Sequence, residues 1–157
     1  MVGDKMANFN IALNKTLIFE GGLSNDPNDT GGLTYKGVSR NNWPQWSGWV
    51  YVDNKDFNNP SLQNSVELFY KTNFWDTLKL DAFGQEIANF VFDTAVNQGV
   101  KAAAILLQTA ISEFGIPIIV DGGIGPDSIK AYKKVDSEVL LLHTLKSLRC
   151  RVYIKIV

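Results

Sequence analysis

Apolar residues near the start of the chain recur at the spacing of one buried face of an amphipathic helix. Met6, Phe9, Leu13 and Leu17 follow one another at intervals of three or four positions. This spacing brings side chains onto one side of a helix. Glu20 continues this stripe, and two glycines follow it. Glycine accepts the left-handed conformation of a helix C-cap. The pattern therefore predicts a first helix that ends at the glycine pair.

The same periodicity predicts further helices in the rest of the chain. One helix begins at Pro60 and runs toward Trp75, and the next two cover residues 83–95 and, after Gly99, residues 100–111. Another begins at Pro126 and reaches about Lys134, and the last spans Val135 to about Arg151. The helices on either side of Gly99 should pack as an antiparallel core pair. Residues 23–59 are rich in Gly, Asn, Asp and Pro, which predicts loops with a short hairpin. Residues 116–120 form a β-prone run. The fold class is thus mainly α, a helical bundle with one small irregular lobe.

Length and charge limit the classes of protein. A chain of 157 residues with 45% hydrophobic content is expected to form a single domain over residues 1–157. The formal net charge is -1 and like charges do not form runs, so neither nucleic-acid binding nor membrane insertion is expected. The N-terminus resembles neither a signal peptide nor a membrane span. Synthesis as a soluble cytoplasmic protein is the expectation.

Cysteine and histidine are each present once, as Cys150 and His143. An intramolecular disulfide, a zinc site with several Cys or His ligands, and a zinc-peptidase histidine pair are thereby excluded. No metal or other cofactor is expected. Both residues lie in a Leu-rich segment, where we expect them to pack in the core.

Glu20 occupies an unusual position for a carboxylate. The C-terminal end of a helix is the negative pole of its macrodipole, which disfavours an ionised glutamate. Placement on a buried stripe adds desolvation, so both effects should raise the pKa of Glu20. A raised pKa suits a general acid that protonates a leaving oxygen. The alternative is a glutamate that reaches solvent from the helix end.

Residues 20–39 read EGGLSNDPNDTGGLTYKGVS. This segment resembles the signature of the N-acetylmuramidase family also called secretion activator proteins, glycosyl hydrolase family 108. Three later motifs resemble the family in the same order, at residues 69–76, 92–99 and 121–126. The resemblance implies a lysozyme-like fold, with a catalytic lobe over residues 1–80 and a helical, predicted peptidoglycan-binding region over 81–157. It also implies that Glu20 is catalytic, although Leu23 replaces the family's usual aromatic residue.

Four further residues are candidates for the reaction or for substrate contact beside it. Asp29 and Thr34 follow Glu20 with a spacing similar to the Glu, Asp and Thr of phage-type lysozymes, with Thr34 one position short. Glycoside hydrolysis commonly uses a second carboxylate, and Asp29 is preferred over Asp26 for that part. Both aspartates are equally suited to ordinary turns. Tyr35 is expected to face the substrate groove beside Thr34.

Four other side chains are candidate substrate contacts. Trp43 and Trp75 can stack on sugar rings, and packing of the irregular lobe is the alternative. Because that lobe has little other apolar material, at least two of the chain's four tryptophans are expected to be core and one at most to meet glycan. Asp93 and Asn97 stand four positions apart on a predicted helix. They face either the glycan or a loop that they hold in place.

The resemblance implies hydrolysis of the β-1,4 bond between N-acetylmuramic acid and N-acetylglucosamine in peptidoglycan. Two alternatives stay open: a lytic transglycosylase, and a non-catalytic peptidoglycan-binding or secretion-accessory protein. A monomer is expected. Access to the cell wall would then depend on a holin or on a secretion system.

Overall fold

The computed structural model describes residues 6–17, 22–28 and 30–156, with side chains through Arg151. Within these residues it is mainly helical, with one small three-stranded antiparallel sheet. This confirms the predicted class, a lysozyme-like helical fold with a small β-containing lobe. The chain divides into two compact units: residues 13–73, called the irregular unit below, and residues 1–12 with 74–157, called the helical unit.

Helix α1 spans Phe9–Leu17, so it begins three residues after Met6. Asn8 caps it, because its Oδ1 accepts from the backbone N–H of Asn10 at 2.9 Å. Met6 consequently precedes the helix and is exposed, which corrects its predicted place on the buried stripe. Leu13 on the same stripe is buried.

The small sheet lies in the irregular unit. Its strands are β1 (Leu23–Ser24), β2 (Thr34–Tyr35) and β3 (Val38–Ser39), in that order. Lys36 and Gly37 join β2 to β3 with φ of 43° and 83°, the left-handed pair that a two-residue hairpin turn requires. The hydroxyl of Tyr70 donates to the Lys36 carbonyl at 2.5 Å and holds this turn in place.

In the described part of the irregular unit, two helices lie entirely within it. Helix α2 spans Trp49–Asp53, and α3 spans Pro60–Tyr70. Pro60 occupies the first turn of α3, where its missing N–H costs nothing. The Asn59 side chain accepts from the Ser61 N–H and caps the same turn. The predicted start at Pro60 is confirmed, and α3 continues into a π-helical turn over Lys71–Trp75.

Among the described residues, four helices lie entirely within the helical unit. They are α4 (Gln85–Gln98), α5 (Val100–Ser112), α6 (Pro126–Tyr132) and α7 (Glu138–Ile156), and a short 3-10 turn, Leu80–Ala82, precedes them. Gly99, with φ of 99°, is the single residue between α4 and α5. These two helices pack against each other, and α7 packs against both. The core includes the fully buried residues Phe83, Val91, Phe92, Leu107, Ile111, Tyr132, Leu141 and Leu145.

Two expectations for this unit are wrong. Residues 116–120 form no strand, and the side chain of Ile119 is 79% exposed. Cys150 and His143 are both exposed, not packed in the core, because they lie on a solvent-facing side of α7. Among the helices that the structure describes, none combines the length and the apolar character needed to span a membrane.

Candidate active site

Glu20 and Asp29 both lie outside the described residues. The segments that flank them are described. Gly22 is two residues from Glu20 in sequence, and its carbonyl accepts from the Lys36 N–H at 3.1 Å. In the adjoining strands Ser24 pairs with Thr34. The strand that follows Glu20 therefore lies beside the strand that carries Thr34.

Thr34 is partly exposed, and its hydroxyl donates to the Gly32 carbonyl at 3.3 Å. This contact is long for a hydroxyl donor, which normally lies nearer 2.8 Å from its acceptor. The hydroxyl is accordingly held only weakly in its own turn. Leu23, on the neighbouring strand, is 51% exposed.

Side chains of β3 and of the residues after it form hydrogen bonds with the backbone of Thr30 and Gly31, which follow Asp29. Ser39 Oγ donates to the Gly31 carbonyl at 2.7 Å, and Asn41 Nδ2 donates to the Thr30 carbonyl at 2.8 Å. Gly32 has φ of 66°, and a Cβ there would crowd the Asn41 amide. Sequence reasoning identified the glycines but missed Ser39 and Asn41. The sequence signal that could have identified Ser39 and Asn41 is the presence of a hydroxyl and an amide side chain a few residues after a Gly-Gly turn.

Asp26 forms a local turn. Its Oδ1 accepts from the backbone N–H of Asn28 at 2.9 Å, and the residue is exposed. This is the Asx-turn geometry that Asn-Asp-Pro sequences favour. Asp26 thus stabilises the loop that leads to Asp29.

Tyr35 belongs to the aromatic core of the irregular unit. It is 7% exposed, and its ring stacks on Phe57 and on Trp46, with centroid distances of 5.9 and 6.4 Å. Burial raises the pKa of the Tyr35 phenol. The Tyr35 ring therefore packs in the core of the irregular unit.

The two candidate tryptophans have opposite environments. Trp43 is 40% exposed and lies on a surface groove of the irregular unit. Trp75 is fully buried in the helical unit, where its indole N–H donates to Asp81 Oδ1 at 2.7 Å. Its ring also packs edge-on against Phe9 and Phe92. Only Trp43 of this pair presents a face that a sugar ring could reach.

Asp93 and Asn97 lie on α4 in the helical unit. Asp93 forms a 2.7 Å ion pair with Arg149 of α7, and the Arg149 guanidinium also lies 5.2 Å from the centre of the Phe90 ring. Asn97 is exposed, and its Nδ2 donates to the Asp93 carbonyl at 2.8 Å. Asp93 thus joins α4 to α7, while Asn97 bonds within α4.

The family model described as Glycosyl hydrolase 108 matches residues 13–99. This range is more than half of the chain and contains all nine candidate site residues. The chain belongs to glycosyl hydrolase family 108. At the level of the family it is a glycoside hydrolase whose substrate is a glycan such as peptidoglycan.

A solved structure has a similar fold. The "Structure of Brucella abortus SagA" matches with a TM-score of 0.70 and 22% identity, covering 94% of this chain and 79% of that chain. Identity at this level supports the fold of the family 108 chain and no residue role. The comparison with curated proteins found no match.

Proposed function

We propose that this family 108 chain is an N-acetylmuramidase that hydrolyses the β-1,4 bond between N-acetylmuramic acid and N-acetylglucosamine, with Glu20 as the general acid. The observation that carries the proposal is the family match over residues 13–99, which includes the entire segment from Glu20 to Ser39. A glutamate after an apolar helix stripe has the setting that keeps a carboxyl group protonated.

In the proposed reaction Glu20 gives its proton to the glycosidic oxygen, and the bond from that oxygen to the sugar C1 breaks. Water forms the new bond to C1 and loses a proton to a carboxylate, for which Asp29 is preferred over Asp26. Thr34 orients the water. The anchoring of the Thr30 and Gly31 carbonyls supports this assignment, because it restrains the chain next to Asp29.

Mass spectrometry of muropeptides released from purified sacculi tests the proposal. The wild type should release fragments with reducing N-acetylmuramic acid ends that carry one oxygen from ¹⁸O-labelled water. Glu20→Gln, which keeps the size and loses the proton, should release at least about a hundredfold less. Glu113→Gln is the matched control, since Glu113 is exposed and lies after α5.

Other products would overturn the proposal in distinguishable ways. Anhydro-muramic ends without solvent oxygen would identify a lytic transglycosylase. Sacculi that are bound but never solubilised by the wild type would identify a non-catalytic wall-binding protein. Reducing ends on N-acetylglucosamine would retain a hydrolase but assign it the other glycosidic bond.

A further inference from the structure

A groove of about 460 Å³ opens on the surface of the irregular unit. The loop after β3, one face of α3 and the first residues of the π-helical turn form its walls. Its volume lies in the range of small-ligand sites. The residues used below are Asn42, Trp43, Gln45, Leu68 and Asn73.

Trp43 forms a rigid aromatic surface in this groove. Its backbone N–H donates to the Ser39 carbonyl at 2.8 Å, and its own carbonyl accepts from the Trp49 indole at 2.7 Å. The Phe69 ring packs at right angles to the indole, with centroids 4.9 Å apart. Although 40% of Trp43 is exposed, the hydrogen bonds hold its main chain and the Phe69 contact restrains its ring. Stacking of a ligand on Trp43 therefore costs little side-chain entropy in the protein.

The indole N–H of Trp43 differs in its hydrogen bonding from the indole N–H groups of the other three tryptophans. Each of those donates to a protein oxygen, in the pairs Trp46 to Ser65, Trp49 to Trp43 and Trp75 to Asp81. Among the residues that the structure describes, none accepts from the Trp43 indole. Trp43 therefore offers a ligand both an apolar face and a hydrogen-bond donor.

The polar groups around Trp43 are amides and hydroxyls. Asn73 Nδ2 donates to the Phe69 carbonyl at 2.9 Å, which directs the amide and leaves Oδ1 as an acceptor. The Asn42 and Gln45 side chains are exposed at the rim, and Leu68, 63% exposed, adds apolar surface. Within the described part of the lining, every side chain is uncharged.

This combination suits a neutral N-acetylated sugar. Amides and hydroxyls match sugar hydroxyls and an acetamido group, and exposed apolar surface matches the acetamido methyl. N-acetylmuramic acid carries a lactyl carboxylate or a stem peptide, for which the described lining offers no cation. We propose that the groove binds an N-acetylglucosamine unit of the glycan strand, stacked on Trp43, in preference to N-acetylmuramic acid.

The inference rests on the proposed function for the nature of the polymer, but its test is a binding measurement. In a Glu20→Gln background, which prevents turnover, the four indole N–H signals are followed by NMR during titration. The β-1,4-linked tetramer of N-acetylglucosamine should shift the Trp43 signal most. The cellulose tetramer, which lacks acetamido groups, should bind at least about tenfold more weakly.

Substitutions localise the binding. Trp43→Ala should weaken binding of the N-acetylglucosamine tetramer at least about tenfold, and Trp43→Phe should restore part of it. Val50→Ala is the control, because Val50 is 57% exposed in the same unit and does not line the groove. Circular dichroism confirms that each variant is folded. Unchanged affinity in folded Trp43→Ala would overturn the inference.

A charge at the rim provides a second, independent test. Gln45→Lys, at an exposed position, should shift preference toward a tetrasaccharide containing N-acetylmuramic acid by about threefold or more. If the protein with the wild-type Gln45 bound the N-acetylglucosamine tetramer and the tetrasaccharide containing N-acetylmuramic acid equally well, the inference would be contradicted. If wild type fails to solubilise sacculi but binds the tetramer through Trp43, the proposed function fails and the groove stands. If the wild type cleaves sacculi but tetramer binding does not depend on Trp43, the proposed function stands and the groove inference fails.

Discussion

Replacement of Gln108 by leucine should destabilise the helical unit. Gln108 is fully buried in α5. Its Nε2 lies 3.0, 2.9 and 3.2 Å from Asp121 Oδ1, the Gly123 carbonyl and Ser128 Oγ. Its Oε1 accepts from the backbone N–H groups of Asp121 and Gly122, at 3.1 and 2.9 Å. One amide thus organises the entire turn before α6, and leucine keeps its bulk while removing every polar contact.

The magnitude follows from the number of bonds. Two protons on Nε2 and two lone pairs on Oε1 make about four hydrogen bonds, each contributing about 1 kcal/mol net. Asp121 and Gly123 are exposed, so water can replace part of the loss at those two residues. We expect the free energy of unfolding to fall by about 2–4 kcal/mol. A fall of 3 kcal/mol lowers the Tm by about 9 °C in a chain of this size.

Urea unfolding followed by far-ultraviolet circular dichroism measures this loss. Gln98→Leu is the matched control, because the Gln98 Nε2 is buried and has no hydrogen-bond partner among the described residues. That substitution removes an unsatisfied donor, so it should leave stability unchanged or raise it by about 1 kcal/mol. Equal effects of the two substitutions would refute the reasoning that satisfied amides determine stability here.

Two further predictions concern other contacts. Gly84→Ala should cost about 1 kcal/mol in the same unfolding experiment, because its Cβ would displace the Glu138 carboxylate from its hydrogen bond with the Tyr132 hydroxyl. Gly125→Ala meets no atom within 4 Å and should cost less. The hydrogen bond from Arg40 holds the pKa of Asp53 below its ordinary 3.8. The Arg40–Asp53 pair therefore stabilises the folded protein at pH values above the pKa of Asp53 in the unfolded chain. This stabilisation is lost as the pH falls through the lowered pKa of Asp53 in the folded protein. An NMR titration of Asp53 should show a return toward the ordinary value in Arg40→Met; an unchanged midpoint would contradict the pairing.

Local sequence signals predicted most of the helices. Pro60 and Gly99 act within their own turn of backbone, so the start of α3 and the break between α4 and α5 could be placed from the sequence. The run at residues 116–120 has strand propensity but pairs with no described strand. Such propensity is expressed only where a neighbouring strand and burial are present.

Long-range packing limited prediction of the candidate site. Trp43 and Trp75 are the same residue type, yet one is 40% exposed and the other fully buried, because the neighbouring elements decide which indole is covered. Asp93 was recognised as a polar position, but its partner Arg149 is 56 residues away and no local pattern joins them. Composition correctly suggested that at least two tryptophans would be core, since Trp49 is 4% exposed as well.

The most direct test of the proposed chemistry compares the rates at which Glu20→Gln and Glu113→Gln solubilise purified sacculi at equal protein concentration. Loss of the proton donor should slow Glu20→Gln by about 10²-fold to 10⁴-fold, while Glu113→Gln should match the wild type. A Glu20→Gln protein that is folded and still solubilises sacculi within about threefold of the wild-type rate would show that another group supplies the proton.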